Sequence, residues 1–98
     1  MKQVQHLVLL SFKPGQDVHA PALYAALTEL RKLPGMLDFR GGPYSSPEGL
    51  NSGFTHGFVM TFADAAARDH YLVHPEHEKL KAKFLPMIEK VIAFDFEG

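Results

Sequence analysis

The sequence predicts an α+β fold of the ferredoxin-like type: a four-stranded antiparallel sheet, elements ordered β-α-β-β-α-β, with helices on one face. Three observations predict it. Four stretches alternate apolar residues with the strand period of two. Two longer stretches repeat them at helical spacing, and Pro/Gly clusters separate the pieces. The 98 residues suit one domain, residues 1–98, and a 46% hydrophobic share with eight Phe supplies a core and excludes a disordered chain.

Val4 to Phe12 reads as the first strand. Val4, His6, Val8, Leu10 and Phe12 share one face, and Leu7 and Leu9 lie on the other. Asp17 is expected to cap a helix running to about Lys32, in which Leu23, Leu27 and Leu30 form an apolar stripe widened by Tyr24 and the alanines. Leu33-Pro34-Gly35 stops it. Met36 to Tyr44 reads as a second strand, bent or bulged at Gly41-Gly42. Ser45 to Gly53 is a polar connection, long for a hairpin, that serves as a surface excursion, a lid or a dimer arm.

Phe54 to Phe62 is the third strand, with His56, Phe58, Met60 and Phe62 on one face and Val59 on the other. Asp64 caps a helix from Ala65 to about Val73. Pro75 interrupts it and opens a second piece to about Pro86, with Glu76 near its positive end and the pairs Glu76–Lys79 and Glu78–Lys81 on its exposed side. Ile88 to Phe96 is the last strand; Val91, Ala93 and Asp95 alternate with Ile92, Phe94 and Phe96.

Right-handed crossovers put both helices over one sheet face. The other face, carrying Leu7, Leu9, Val59 and Phe94, is left bare, which predicts a homodimer joined through it. Ten basic against eleven acidic residues, with no basic stripe, argue against nucleic acid as a partner. The absence of cysteine excludes disulfides and thiolate chemistry. No stretch is apolar for long enough to span a bilayer and the start lacks a signal-like run, so the expected location is cytoplasmic, away from membranes.

The segment His70-Tyr71-Leu72-Val73-His74-Pro75-Glu76-His77 concentrates the candidate chemistry. Strand parity aims His6 and His56 at the helical layer, among Val8, Leu10, Phe58 and Met60, where imidazole is disfavoured when charged. The commoner role for either alone is that of a satisfied core histidine. His77 has the chemistry of a general base toward a proton flanked by two carbonyls, and Tyr71 that of a donor to the developing enolate oxygen. Tyr71 is placed to face the sheet, with Arg68 on the opposite side of its helix; Asp95 can orient an imidazole or the phenol. His74 suits a helix cap. No metal is expected, because Pro75 breaks the helical register between His74 and His77 and no Glu completes a metalloprotease spacing. His19 and His70 read as solvent-facing.

Along nearly its whole length the chain resembles the stress-responsive dimeric α/β-barrel domain proteins. The matching pieces are His6-Leu7-Val8, Phe12-Lys13, Leu33-Pro34-Gly35, Ser46-Pro47-Glu48-Gly49-Leu50-Asn51, Thr55-His56, Thr61-Phe62, His74-Pro75-Glu76-His77 and Asp95-Phe96. The resemblance implies a homodimer whose two sheets pack face to face as a barrel. One plant branch, the polyketide (olivetolic acid) cyclases, closes a poly-β-keto chain by aldol chemistry without a cofactor. The resemblance puts its catalytic tyrosine and histidine on Tyr71 and His77, and its pocket histidines on His6 and His56. Ala22, Leu23 and Ala26 stand where that branch has bulky aromatics, so the pocket differs in shape.

The expected site is thus a cofactor-free apolar pocket for a small enolisable carbonyl compound. Tyr71 and His77 are its catalytic pair, and its lining is His6, Val8, Leu10, Leu23, Leu27, His56, Phe58, Met60, His74, Val91, Ala93 and Asp95. A non-catalytic ligand-binding dimer is the alternative. Monooxygenase-like chemistry, known from wider relatives of the barrel, is a third and rests on fold analogy.

Overall fold

A computed structural model describes residues 2–98. β1 (Val4–Phe12) leads through a 3₁₀ turn (Asp17–His19) into α1 (Ala20–Glu29), and a second 3₁₀ turn (Leu30–Lys32) precedes β2 (Met36–Pro43). β3 (His56–Phe62) is followed by α2 (Ala65–Leu72), α3 (Pro75–Phe84), a 3₁₀ turn (Leu85–Met87) and β4 (Ile88–Glu97). The sheet order is β2-β3-β1-β4 with every neighbour antiparallel. This is the ferredoxin-like α+β fold, its second helical segment split in two.

β1 is central, which explains why it is apolar on both faces. Its inner residues Val4, His6, Val8 and Leu10 are buried under the helices, packed with Leu23 and Leu27 of α1, Met60 and Phe62 of β3, and Phe84 of α3. The cap on α2 forms as expected: Asp64 accepts a hydrogen bond from the Ala67 amide at 2.8 Å. Gly35, at φ +85°, places its carbonyl to accept from the Ala63 amide, and a Cβ there would lie 2.4 Å from Ala67 Cβ. The helix stop thus doubles as the seat of α2.

Local expectations are corrected at four places. Asp17 opens a 3₁₀ turn instead of capping α1; Pro21, which has no N–H to offer, draws the helix start to Ala20. The β2 irregularity lies between Met36 and Asp38, turning Leu37 outward, whereas Gly41 and Gly42 stay in register opposite Phe58 and Gly57. Gly41 is small for another reason: a Cβ would fall 2.6 Å from Phe58 Cβ and 2.7 Å from the Tyr24 ring. That ring spans α1 and the sheet, its hydroxyl 3.0 Å from both the Gly42 and Gly57 carbonyls. β3 begins at His56, not Phe54, because Phe54 belongs to the preceding loop. There Asn51 Nδ2 donates to the Phe54 carbonyl at 2.7 Å and Lys90 Nζ sits 4.4 Å over the Phe54 ring. Finally, α2 ends at Leu72, one residue before the predicted Val73.

The outer sheet face carries Leu7, Leu9, Val59, Ile92, Phe94 and Phe96, the last two 64% and 50% exposed. The 44–55 loop folds against one end of this face, making a groove with Leu9 and Ile92. It lies on the far side of the sheet from the helices, so it does not serve as a lid over the helical face of its own subunit. No helix among the described residues is long and apolar enough to cross a membrane.

Candidate active-site cleft

Between the inner sheet face and the helices lies a cleft of about 260 Å³. β1 gives His6, Val8 and Leu10; β3 gives Phe58; α1 gives Leu23 and Leu27; β4 gives Val91 and Ala93. Tyr71 and Leu72 of α2 and His77, Leu80, Lys81 and Phe84 of α3 form the roof, with Leu85 and Ile88 beyond. The walls are almost wholly apolar, so its few polar groups stand in a weakly solvated setting.

Tyr71 and His77 meet across the break between α2 and α3, with ring centroids 4.3 Å apart. The break builds the meeting. His74, extended, accepts from the Glu76 amide through Nδ1 at 3.1 Å, and Pro75 starts α3. His77 then falls in the first turn of α3, where its Nδ1 is 3.1 Å from the Leu72 carbonyl. A carbonyl only accepts, so Nδ1 carries the proton and Nε2 keeps its lone pair. Burial lowers the His77 pKa below 6.5, outweighing the Leu72 hydrogen bond, and the Lys81 charge lowers it further; the ring is a neutral base at pH 7.

Tyr71 is 2% exposed, and burial raises its phenol pKa well above 10, so it stays a protonated donor. No protein group among the described residues hydrogen-bonds its hydroxyl, although the residue lines the cleft. Its ring packs on Phe62 at 5.2 Å and on His6 at 6.2 Å.

His6 forms the floor, fixed from behind. Its Nδ1 donates to Asp95 Oδ1 at 2.6 Å, and Arg68 Nη1 donates to Asp95 Oδ2 at 2.8 Å. Burial alone would raise the Asp95 pKa. The hydrogen bonds and charges of Arg68 and His6 together overcome it, so the carboxylate's pKa is lowered. Arg68 therefore faces the sheet, three residues before Tyr71 on the same side of α2, and not the opposite side as the sequence suggested. The physical reason is reach: a long guanidinium covers the gap from helix to β4 that short side chains leave open.

Of the expected lining, His6, Val8, Leu10, Leu23, Leu27, Phe58, Val91 and Ala93 border the cleft with Tyr71 and His77. Four do not. His56 is corrected: it sits at the other end of β3, its ring 5.2 Å from Phe12 and 6.2 Å from Tyr24, with Nδ1 2.9 Å from Thr55 Oγ1. Parity gives it the right face, but it lies four positions along the strand from Met60, which pairs with His6. Met60 is fully buried beneath the cleft, His74 is occupied as a cap, and Asp95 acts on His6 from behind. Lys81, read from sequence as an outward partner of Glu78, also borders the cleft. No group of three or more His, Asp or Glu among the described residues is arranged to hold a metal; the His70 and His74 rings meet edge-to-face, 5.7 Å apart.

Residues 4–98 match the model of the stress responsive A/B barrel domain. The chain is 34% identical over 98 residues to the stress-response A/B barrel domain-containing protein HS1 of Arabidopsis thaliana, covering 96% of this chain and 88% of that one. It is 27% identical over 97 residues to olivetolic acid cyclase of Cannabis sativa, covering 95% and 94%. Among solved structures, a dimeric ferredoxin-like protein of unknown function from Jannaschia superposes with a TM-score of 0.87 at 30% identity, covering 98% of this chain and 99% of that one.

Proposed function

Because the chain belongs to the stress responsive A/B barrel domain family, we propose that it is a homodimer joined through the outer sheet face, with one proton-transfer cleft per subunit. The ligand is a small apolar compound with an enolisable carbonyl group. The observation that carries the reading is the Tyr71–His77 contact at 4.3 Å inside an apolar cleft, a neutral base beside a protonated donor. His77 Nε2 takes a proton from the carbon between two carbonyls. The C–H electron pair moves onto the carbonyl oxygen, and Tyr71 O–H donates a hydrogen bond to that enolate. Returning the proton elsewhere gives isomerisation; attack of the enolate carbon on a second carbonyl gives cyclisation. Neither needs an oxidant. The relation to a named cyclase supports this reading, as does the bare apolar face supporting the dimer.

The test is deuterium exchange at the central methylene of 1-phenylbutane-1,3-dione in D₂O, followed by NMR. The protein should accelerate exchange, and His77→Ala and Tyr71→Phe should each reduce the acceleration by about two to four orders of magnitude. Binding without any acceleration would replace the enzyme with a ligand-binding dimer.

A further inference from the structure

Beyond the Tyr71, His77 and His6 group, the cleft has one charged wall residue. Lys81 reaches it from α3, one helical turn after His77, and its side chain is 39% exposed. Residues so spaced have Cβ atoms about 5–6 Å apart. The Lys81 ammonium lies 3.0 Å from Glu78 Oε1, but Glu78 is 53% exposed, and such surface pairs contribute about 0–1 kcal/mol. The pair is therefore easily exchanged for a better anion. Around Lys81 the wall is Leu80, Leu85 and Phe84, and Leu72 and Leu85 at the mouth are partly open to solvent. A neutral ketone offers this cation nothing beyond its solvent-exposed Glu78 partner, whereas an anionic ligand adds a second, cleft-side partner.

We propose that Lys81 determines specificity by pairing with a carboxylate, so that the cleft selects enolisable keto acids with an apolar cap over neutral ketones. This rests on the proton-transfer reading of the same cleft. In a 2,4-dioxo acid the acidic methylene is separated from the carboxylate by one carbonyl carbon. A carboxylate on Lys81 therefore sets that methylene about one helical turn away, alongside His77. The cap then lies among Leu23, Leu27 and Phe58.

The experiment compares two probes, 2,4-dioxo-4-phenylbutanoate and 1-phenylbutane-1,3-dione, by calorimetric titration of the wild type, Lys81→Met and Glu78→Gln. Methionine keeps the aliphatic stem and removes the charge. The wild type should prefer the acid by about five- to tenfold, the range of one partly exposed charge-assisted contact. Lys81→Met should bring the ratio of affinities to about one, and Glu78→Gln should widen it by freeing the ammonium. A ratio unchanged in Lys81→Met while both probes bind overturns the assignment of Lys81 and leaves the proton-transfer cleft standing. If neither probe binds the wild type at millimolar concentration, the cleft reading fails and this inference falls with it.

Discussion

Replacing Asp95 by alanine tests how much the anchored floor of the cleft contributes. Asp95 joins three elements: His6 of β1 at 2.6 Å, Arg68 of α2 at 2.8 Å, and its own strand β4. The His6 side chain is 9% exposed, so its Nδ1–H loses its carboxylate partner at a mostly buried position, a cost of about 1–3 kcal/mol. Arg68 is 23% exposed and keeps Asp69 at 2.8 Å, so its loss is smaller, about 0.5–1 kcal/mol. The sum is about 1.5–4 kcal/mol, or roughly 6–30 °C in Tm for a domain of this size. Thermal and urea denaturation at fixed protomer concentration measure it. Asp95→Asn, which retains an acceptor for His6, should lose about half as much, and a double-mutant cycle with Arg68→Ala should show about 0.5–1 kcal/mol of coupling. A loss under 0.5 kcal/mol for Asp95→Ala would refute the reasoning. The pH dependence has a definite sign. Asp95 has a lowered folded pKa, so its contribution is present above the ordinary carboxylate range and is lost as pH falls through the folded value.

The exchange rate should rise with pH through a midpoint below 6.5 and then level off, because burial depresses the His77 pKa; a midpoint at 7 or above contradicts that. The same shift makes His77 favour folding above 6.5 and oppose it as pH falls through the folded value, which a stability–pH series reads directly. Leu9→Glu should convert the dimer to a poorly soluble monomer in sedimentation, whereas a stable wild-type monomer at micromolar concentration would contradict the interface. Gly41→Ala should cost about 1–3 kcal/mol, since the added methyl meets Phe58 Cβ, the Gly57 carbonyl and the Tyr24 ring; an unchanged unfolding midpoint would contradict that close packing.

Period and punctuation made the architecture legible. The alternation from Val4 to Phe12 and the breaks at Pro34-Gly35 and Pro75 mark elements because they reflect backbone constraints that tertiary contacts seldom override. Parity identified which face each strand residue takes, and for His6, Val8, Leu10 and Phe58 that face borders the cleft. Parity does not report position along the strand relative to a helix, so it sets His56 with His6 although the two lie apart along the sheet. Long polar side chains were also illegible. Arg68 reaching Asp95 and Lys81 bordering the cleft depend on how far each helix stands from the sheet, and no spacing in the sequence encodes that distance. The bulge at Leu37, in place of Gly41-Gly42, has no composition signal; Gly41 answers instead to the aromatic ring packed on it.

The most direct measurement of the central claim is a crystal structure of the protein with 1-phenylbutane-1,3-dione. The predicted result is density in the helical-face cleft, with the methylene carbon near His77 Nε2 and one carbonyl oxygen within about 2.6–3.2 Å of the Tyr71 hydroxyl. Density confined to the groove under the 44–55 loop, or a cleft left without ligand at saturating concentration, would contradict it.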